Sequence, residues 1–354
     1  MESFGYTPLQ TRVVFGRGTL GRVAAESEAL GCRRAFVVSD AYHAKGAAAA
    51  VRESLGDRAV GFSSDAVMHT PVEVTDRVLK SVAQASADCL VSLGGGSTTG
   101  LSKALALRTG LPQIAIPTTY AGSEATPILG QTEHGRKTTL RSEKVLPRVI
   151  IYDVDLTLGM PAGLSVVSGM NAVAHAVEAL YAKDGNPVTS LLAEQGIGAF
   201  ARALPLIVAD PRHPEARSDA LFGAWLCGNC LGTVGMSLHH KLCHTLGGSF
   251  DLPHAETHTV ILPHAASFNA TAAPRALARV AQALGVDHPG GGLFDLARRL
   301  GAPTSLKTIG MSESDLDRAA ELATASPYWN PRPVDRDGIR ALLDDAFHGR
   351  RPSH

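Results

Sequence analysis

Cys89-Leu90-Val91-Ser92-Leu93-Gly94-Gly95-Gly96-Ser97-Thr98-Thr99 is the stretch on which the fold turns. An apolar run ends in three glycines, and a group of hydroxyl residues then opens a segment rich in leucine and alanine. This reads as strand, tight turn and helix. Glycines remove the side chains that would block a close approach to the backbone, and a helix start points free N–H groups and positive dipole outward. Gly94, Gly95 and Gly96, with Ser97 and Thr98, therefore form an expected pyrophosphate cradle. The spacing is not GxGxxG, and glycine-rich turns also occur without a ligand, so the cradle needs support from elsewhere in the chain.

Working outward, Ala35–Ser39, Ala59–Phe62, Gln113–Ile116 and Val149–Tyr152 read as further strands, with helical segments at Val72–Ala87 and Thr99–Arg108 between them. Such alternation predicts a parallel sheet flanked by helices. Asp40 ends one strand, where its carboxylate can accept ribose hydroxyls or cap a helix over Ala41–Leu55. Thr118, Thr119 and Ser123 follow another. Parallel sheets bind ligands at their carboxyl edge, where all these residues fall, so a dinucleotide is the expected ligand. Asp40 leans toward NADH, while Ser39 leaves NADPH open.

From Leu158 onward strand-like runs nearly vanish. Leu164–Ala182, Pro187–Ala209 and Glu215–Leu231 carry helix formers, with Pro161, Pro187 and Pro214 near helix starts. The expected division is an α/β Rossmann-like domain over 1–157 and an all-α catalytic domain over 158–354, with the ligand in the cleft between them.

The second half also carries Asn171-x-x-x-His175, His240-x-x-x-His244 and His254. Positions i and i+4 share a helix face, so Asn171, His175 and Glu178 point roughly one way, and His240 and His244 do likewise. Several imidazoles on segments that can converge suggest metal or proton chemistry. His175, His240 and His254 could bind Zn²⁺ or Fe²⁺ unaided. Asn171 adds only a neutral carbonyl where a carboxylate would strengthen a cation site, so the residues alone leave metal binding open. His239, one residue out of register with His240, is expected to face solvent or an interface.

The chain has 354 residues, 45% hydrophobic and 19% charged, and 33 Lys plus Arg balance 33 Asp plus Glu. No global field favours nucleic acid or an anionic membrane. No uninterrupted apolar stretch approaches a bilayer span, and no signal peptide is read at the N-terminus. The five cysteines suggest reduced thiols, and Cys227-x-x-Cys230 reads as helix packing rather than a dithiol. A soluble cytoplasmic protein is expected.

Long strings carry a resemblance: Gly94-Gly95-Gly96-Ser97-Thr98-Thr99-Gly100-Leu101, Pro117-Thr118-Thr119-Tyr120-Ala121-Gly122-Ser123-Glu124 and Pro253-His254-Ala255-Glu256-Thr257-His258-Thr259, within a match running from Val14-Phe15-Gly16-Arg17-Gly18 to Tyr328-Trp329-Asn330-Pro331-Arg332-Pro333. The sequence resembles the iron-containing alcohol dehydrogenases, a group with dehydroquinate-synthase-like folds, and within it the maleylacetate reductase branch. The resemblance places the family's metal ligands on Asn171, His175, His240 and His254, where the first is ordinarily Asp. It also places Gly100 where an Asp is usual. Both departures resemble the reductase branch, whose members are generally taken to work without a metal. The resemblance implies a homodimer that uses NADH or NADPH to reduce the dicarboxylate maleylacetate. Catalytic roles are expected for Asn171, His175, His240, His244 and His254, and Lys241, His258 and Arg332 are guesses for holding the carboxylates. The rivals are a metal-dependent alcohol dehydrogenase of the same fold, a carbon–oxygen lyase and a nucleotide-binding protein without catalysis.

Overall fold

The computed structural model describes residues 3–133 and 136–353. It divides into two compact units, Pro8–Met160 and Pro161–His354 with Met1–Thr7.

The first unit alternates strands β1 (Arg12–Gly16), β2 (Ala35–Ser39), β3 (Ala59–Ser63), β4 (Cys89–Gly94), β5 (Gln113–Pro117), β6 (Ile128–Glu133), β7 (Arg136–Arg141) and β8 (Val149–Asp153) with helices α1 (Val23–Ala29), α2 (Ala47–Leu55), α3 (Val72–Gln84) and α4 (Gly96–Thr109). Six strands form one parallel sheet in the order β1-β8-β5-β4-β2-β3. β2, β4, β5 and β8 are buried along their whole length, as strands covered on both faces must be, which explains their continuous apolar runs. Val37, Val91, Ile114 and Ile151 pack in one apolar cluster, while Phe36, Leu90, Leu101 and Leu105 pack in another. The strand order reverses between β2 and β4, so the carboxyl ends of these neighbours flank the crevice where open α/β sheets bind ligands.

The observed strands extend each expected one by at most a residue, while other elements depart from expectation. β1 was not expected as a strand. β6 and β7 form a separate antiparallel hairpin whose sequence, rich in Thr, Gln, Arg and Lys, lacks an apolar alternation. α2 begins at Ala47 behind Gly46 rather than at Ala41. Asp40 therefore caps no helix: its carboxylate accepts from the His43 backbone N–H at 3.0 Å and meets His43 Nδ1 at 2.9 Å, closing a turn.

The second unit is helical among the described residues: α5 (Ala162–Leu180), α6 (Pro187–Ala209), α7 (Pro214–Thr233), α8 (Leu238–Phe250), α9 (His254–Asn269), α10 (Pro274–Leu284), α11 (Pro289–Arg299), α12 (Leu316–Thr324) and α13 (Arg336–His348). α6 has the expected bounds. Pro187 opens it, where its missing N–H costs nothing, and the Asn186 side chain accepts from Thr189 N at 2.9 Å. By length and composition α6 is apolar enough to cross a membrane, yet it packs against α5, α7 and α10 as a core helix does. Cys227 and Cys230 lie buried on α7, and burial pushes both thiols up, the second to about 12. A low-pKa reactive thiol is not made there. Leu238, Leu242 and Leu246 of α8 pack with Val260 and Ile261 of α9 and Leu343 of α13, which sets the two histidine-bearing helices side by side.

Candidate active site

In the first unit the glycine turn is required by its neighbours. Gly94 has φ +152°, and a Cβ there would strike Thr98 Oγ1 and lie 2.8 Å from Asp40 Oδ2. Gly95, in extended conformation, precedes the first turn of α4, and a Cβ on it would press on Thr119 Cγ2 at 3.0 Å. The Asp40 carboxylate, at the end of β2, thus meets the turn after β4, with Thr98 Oγ1 at 3.4 Å from Asp40 Oδ2. Thr118 Oγ1 and Ser123 Oγ are buried without a hydrogen-bond partner, as hydroxyls kept for a ligand would be. Thr119 and Ser97 are partly exposed beside them.

Lys103 of α4 escaped the sequence reading. It is fully buried, and its ammonium donates to Ser123 O, Thr126 O, Thr126 Oγ1 and Ile128 O at 2.5–2.9 Å. These bonds fasten the segment after β5. Burial draws its pKa down to about 7, against the opposing pull of Glu124. Glu124 is buried too, accepts from Tyr152 Oη at 2.8 Å, and is raised by that burial. The signal available in sequence was a lone lysine inside Leu101-Ser102-Lys103-Ala104-Leu105.

Gly100 faces Thr70, whose Oγ1 stands where a Cβ at position 100 would begin, and Thr70 itself holds φ +47°. No side chain fits at 100 without moving Thr70.

In the second unit α5 and α8 bring their imidazoles together. His175 Nδ1 and His240 Nε2 are 2.9 Å apart with rings stacked at 5.0 Å. The His244 ring stands 6.2 Å from that of His240, on the exposed side of α8. His254, at the start of α9, lies 4.4 Å ring to ring from His258. Asn171, one turn before His175, is buried, and its Oδ1 has no hydrogen-bond partner.

His239 and His258 correct the expectation. Neither faces solvent: both are fully buried, with His239 Nε2 and His258 Nδ1 at 3.0 Å and Cys243 Sγ at 3.7 Å from His239 Nε2. Burial, then the neighbouring His240 imidazole, drives His239 down to about 3, and burial followed by His254 lowers His258 well below the ordinary range. Both rings are therefore neutral near pH 7. The one-residue offset from His240 misled here because α8 is covered on two sides, by the leucine face and by the imidazoles. Lys241 and Arg332 lie over the rings of Tyr328 and Phe268, at 5.9 and 4.0 Å to the centroids.

Glu178, one turn after His175, is the anion of the cluster. Burial alone would raise its carboxyl, but the bond from His240, the electrostatic pull of the neighbouring imidazoles and the Ser237 backbone N–H hold it down at about 2. Ligand-type atoms of His239, Cys243 and His258 lie within 4.8 Å of one another, but His239 and His258 already hydrogen-bond each other, and their outer nitrogens have no acceptor to support a metal-bound ring. At Asn171, His175, His240 and His254 the donor set is three imidazoles and one carboxamide, with no anionic ligand. Asn171 brings no charge, and His240 Nε2 is directed at His175 Nδ1 instead of at a shared centre.

Comparisons with known proteins agree with this architecture. The iron-containing alcohol dehydrogenase model matches residues 10–154, and the C-terminal model of the same family matches 165–347. A maleylacetate reductase of Rhizobium sp. (strain MTP-10005) is 58% identical over 99% of this chain and 100% of its own. A maleylacetate reductase of Burkholderia cepacia is 53% identical over the whole of both chains. The crystal structure of maleylacetate reductase from Agrobacterium tumefaciens superposes with a TM-score of 0.97 at 56% identity, covering 99% of this chain and 100% of that one. With a six-stranded parallel sheet, an all-helical second unit and full-length relatives of this kind, the chain belongs to the iron-containing alcohol dehydrogenase family.

Proposed function

We propose that this protein is a maleylacetate reductase, using NADH or NADPH to saturate the carbon–carbon double bond of maleylacetate and give 3-oxoadipate. The observation that carries the reading is the full-length likeness to proteins of that name at 50–58% identity, from several organisms. The reduced nicotinamide, when bound, supplies the hydride. Gly94, Gly95, Gly96, Ser97, Thr98, Thr118, Thr119 and Ser123 are the residues assigned to hold the dinucleotide, with Asp40 at its ribose. The buried hydroxyls of Thr118 and Ser123 support that assignment.

Hydride addition at the carbon β to the substrate ketone leaves negative charge on the ketone oxygen as an enolate. His175, His240 and His254, with Asn171 as a neutral donor, are the groups that receive this charge in a preorganised site. His244, on the exposed side of α8, is the candidate for returning a proton to the enolate carbon. With a 2-chloro analogue, hydride adds at the chlorinated carbon. The enolate electrons then re-form the double bond as chloride departs, and a second hydride reduces the maleylacetate so produced. We assign the reaction no metal, because the donor set is short of a charged ligand at Asn171. The enzyme is proposed to be a cytoplasmic homodimer.

Loss of NADH or NADPH absorbance with maleylacetate tests the reading. Turnover that survives chelator treatment is expected. Absence of turnover with both cofactors would end it, and complete inactivation restored by Fe²⁺ or Zn²⁺ would overturn the metal-free form in favour of the metal-dependent alternative.

A further inference from the structure

We propose that His43 is the specificity-determining residue by which this site admits the 2′-phosphate of NADPH as well as the plain ribose of NADH. The inference rests on reading the turn after β4 as the dinucleotide site, with Asp40 at the ribose. A carboxylate at that strand end ordinarily disfavours NADPH, because it accepts ribose hydroxyls and repels a phosphate. Here the carboxylate is already engaged. His43 Nδ1 lies 2.9 Å from both Asp40 oxygens, as a forked donor does, and the His43 backbone N–H donates to Oδ1 at 3.0 Å. Thr98 Oγ1 stands 3.4 Å from Oδ2. The residue is fixed from its other side too, since His43 O accepts from Gly46 N and Ala48 N at 3.1 Å where α2 begins. The Tyr42 ring meets the imidazole edge-on at 4.9 Å.

Two observations favour a ligand here over a purely internal tie. The His43 and Asp40 side chains keep 19% and 24% of their surface exposed, so the pair reaches solvent at the carboxyl edge of the sheet. Ser39, whose hydroxyl could otherwise meet a phosphate, is buried, with Oγ donating to Leu93 O at 2.8 Å. That leaves the turn after β2 to receive a phosphate on the ribose. With Nδ1–H committed to Asp40, a neutral imidazole keeps its lone pair on Nε2. A phosphate monoester loses its second proton at about pH 6 and an ordinary imidazole at about 6.5, so near neutrality one proton is shared between Nε2 and a phosphate oxygen. The contact is charge-assisted. A proton drawn to Nε2 also makes the ring a cation beside the carboxylate, which offsets the repulsion between Asp40 and the phosphate. With NADH the same place holds only a hydroxyl, and the ring gains no such bond.

Fluorescence titrations with NADH and with NADPH, compared as the ratio of the two dissociation constants, test the proposal without any substrate. The wild type is expected to bind both. His43→Ala should raise the NADPH constant relative to the NADH constant about 10- to 100-fold, the worth of one hydrogen bond to a charged group. His43→Gln, which keeps a polar side chain but cannot share a proton, should move the ratio the same way, and Asp40→Asn should move it in the opposite direction. A merely structural role for the ring would weaken both cofactors alike; an unmoved ratio in both His43 variants would therefore overturn the proposal. So would a wild type that binds NADH and excludes NADPH. A ratio that moves in Lys45→Ala but not in H43A would assign the phosphate to that exposed ammonium and overturn it as well. Binding of neither cofactor would strike the dinucleotide reading and this proposal together, whereas a failure to reduce maleylacetate would strike the proposed function alone.

Discussion

The two units build their sites from different material. In the nucleotide unit the candidate site is largely backbone: a glycine turn, a helix start and hydroxyls at strand ends, each within a few residues of the strand that presents it. In the helical unit the site is made of side chains, and its key contacts join residues 62 and 65 positions apart. A backbone-built site tolerates changes of side chain but not of backbone freedom. A side-chain site has the opposite weakness.

The largest expected effect tests the side-chain half. His175→Ala removes a charge-receiving group and should lower kcat by about 10² to 10³, with KM for NADH unchanged in steady-state assays. A comparable rise in KM for NADH would show that the two sites are not separable in this way. Gly94→Ala tests the other half. At φ +152°, with Thr98 and Asp40 against the new methyl, it should cost about 2 kcal/mol, read as a loss of NADH affinity in fluorescence titration, with the circular dichroism of the helices preserved. Unaltered affinity would mean that the turn is not where the dinucleotide sits.

The smallest effect concerns acid. His239, His258 and His264 have folded pKa values below their ordinary 6.5, at about 3 for His239 and about 4 for His264. At these rings the unfolded chain binds more protons than the folded one below pH 6.5, so their contribution to stability should be flat above that value and decline beneath it. The slope is roughly 1.4 kcal/mol per pH unit for each group within its window. Glu178, held at about 2 against an ordinary 4.5, adds its own loss only below pH 4.5. Thermal midpoints measured across this range should fall in the helical unit first, and a midpoint independent of pH would contradict the buried neutral histidines.

How much was legible in the sequence follows the same division. β2, β4, β5 and β8 announce themselves because strands covered on both faces must be apolar throughout. α6 does so because proline and asparagine mark its start. The β6–β7 hairpin does not, since its buried side reduces to Leu129 and its neighbour Leu140, too few to make an apolar alternation. His175 and His240 were visible as helix-spaced imidazoles. His239 and His258 were not, because the periodicity of one helix cannot show that a neighbour covers its second side. Glu178 was visible in direction but not in role, which depends on the start of a helix far along the chain.

Thr70 beside Gly100 sets a steric limit on charge at this end of α4. The first atom of any side chain at position 100 would overlap Thr70 Oγ1, so an acidic residue enters there only if that hydroxyl moves. That movement falls on a loop in which His69 and Thr70 already hold positive φ. The two positions at which this chain lacks an acid therefore differ: Asn171→Asp is nearly isosteric, whereas Gly100→Asp obliges Thr70 to give way.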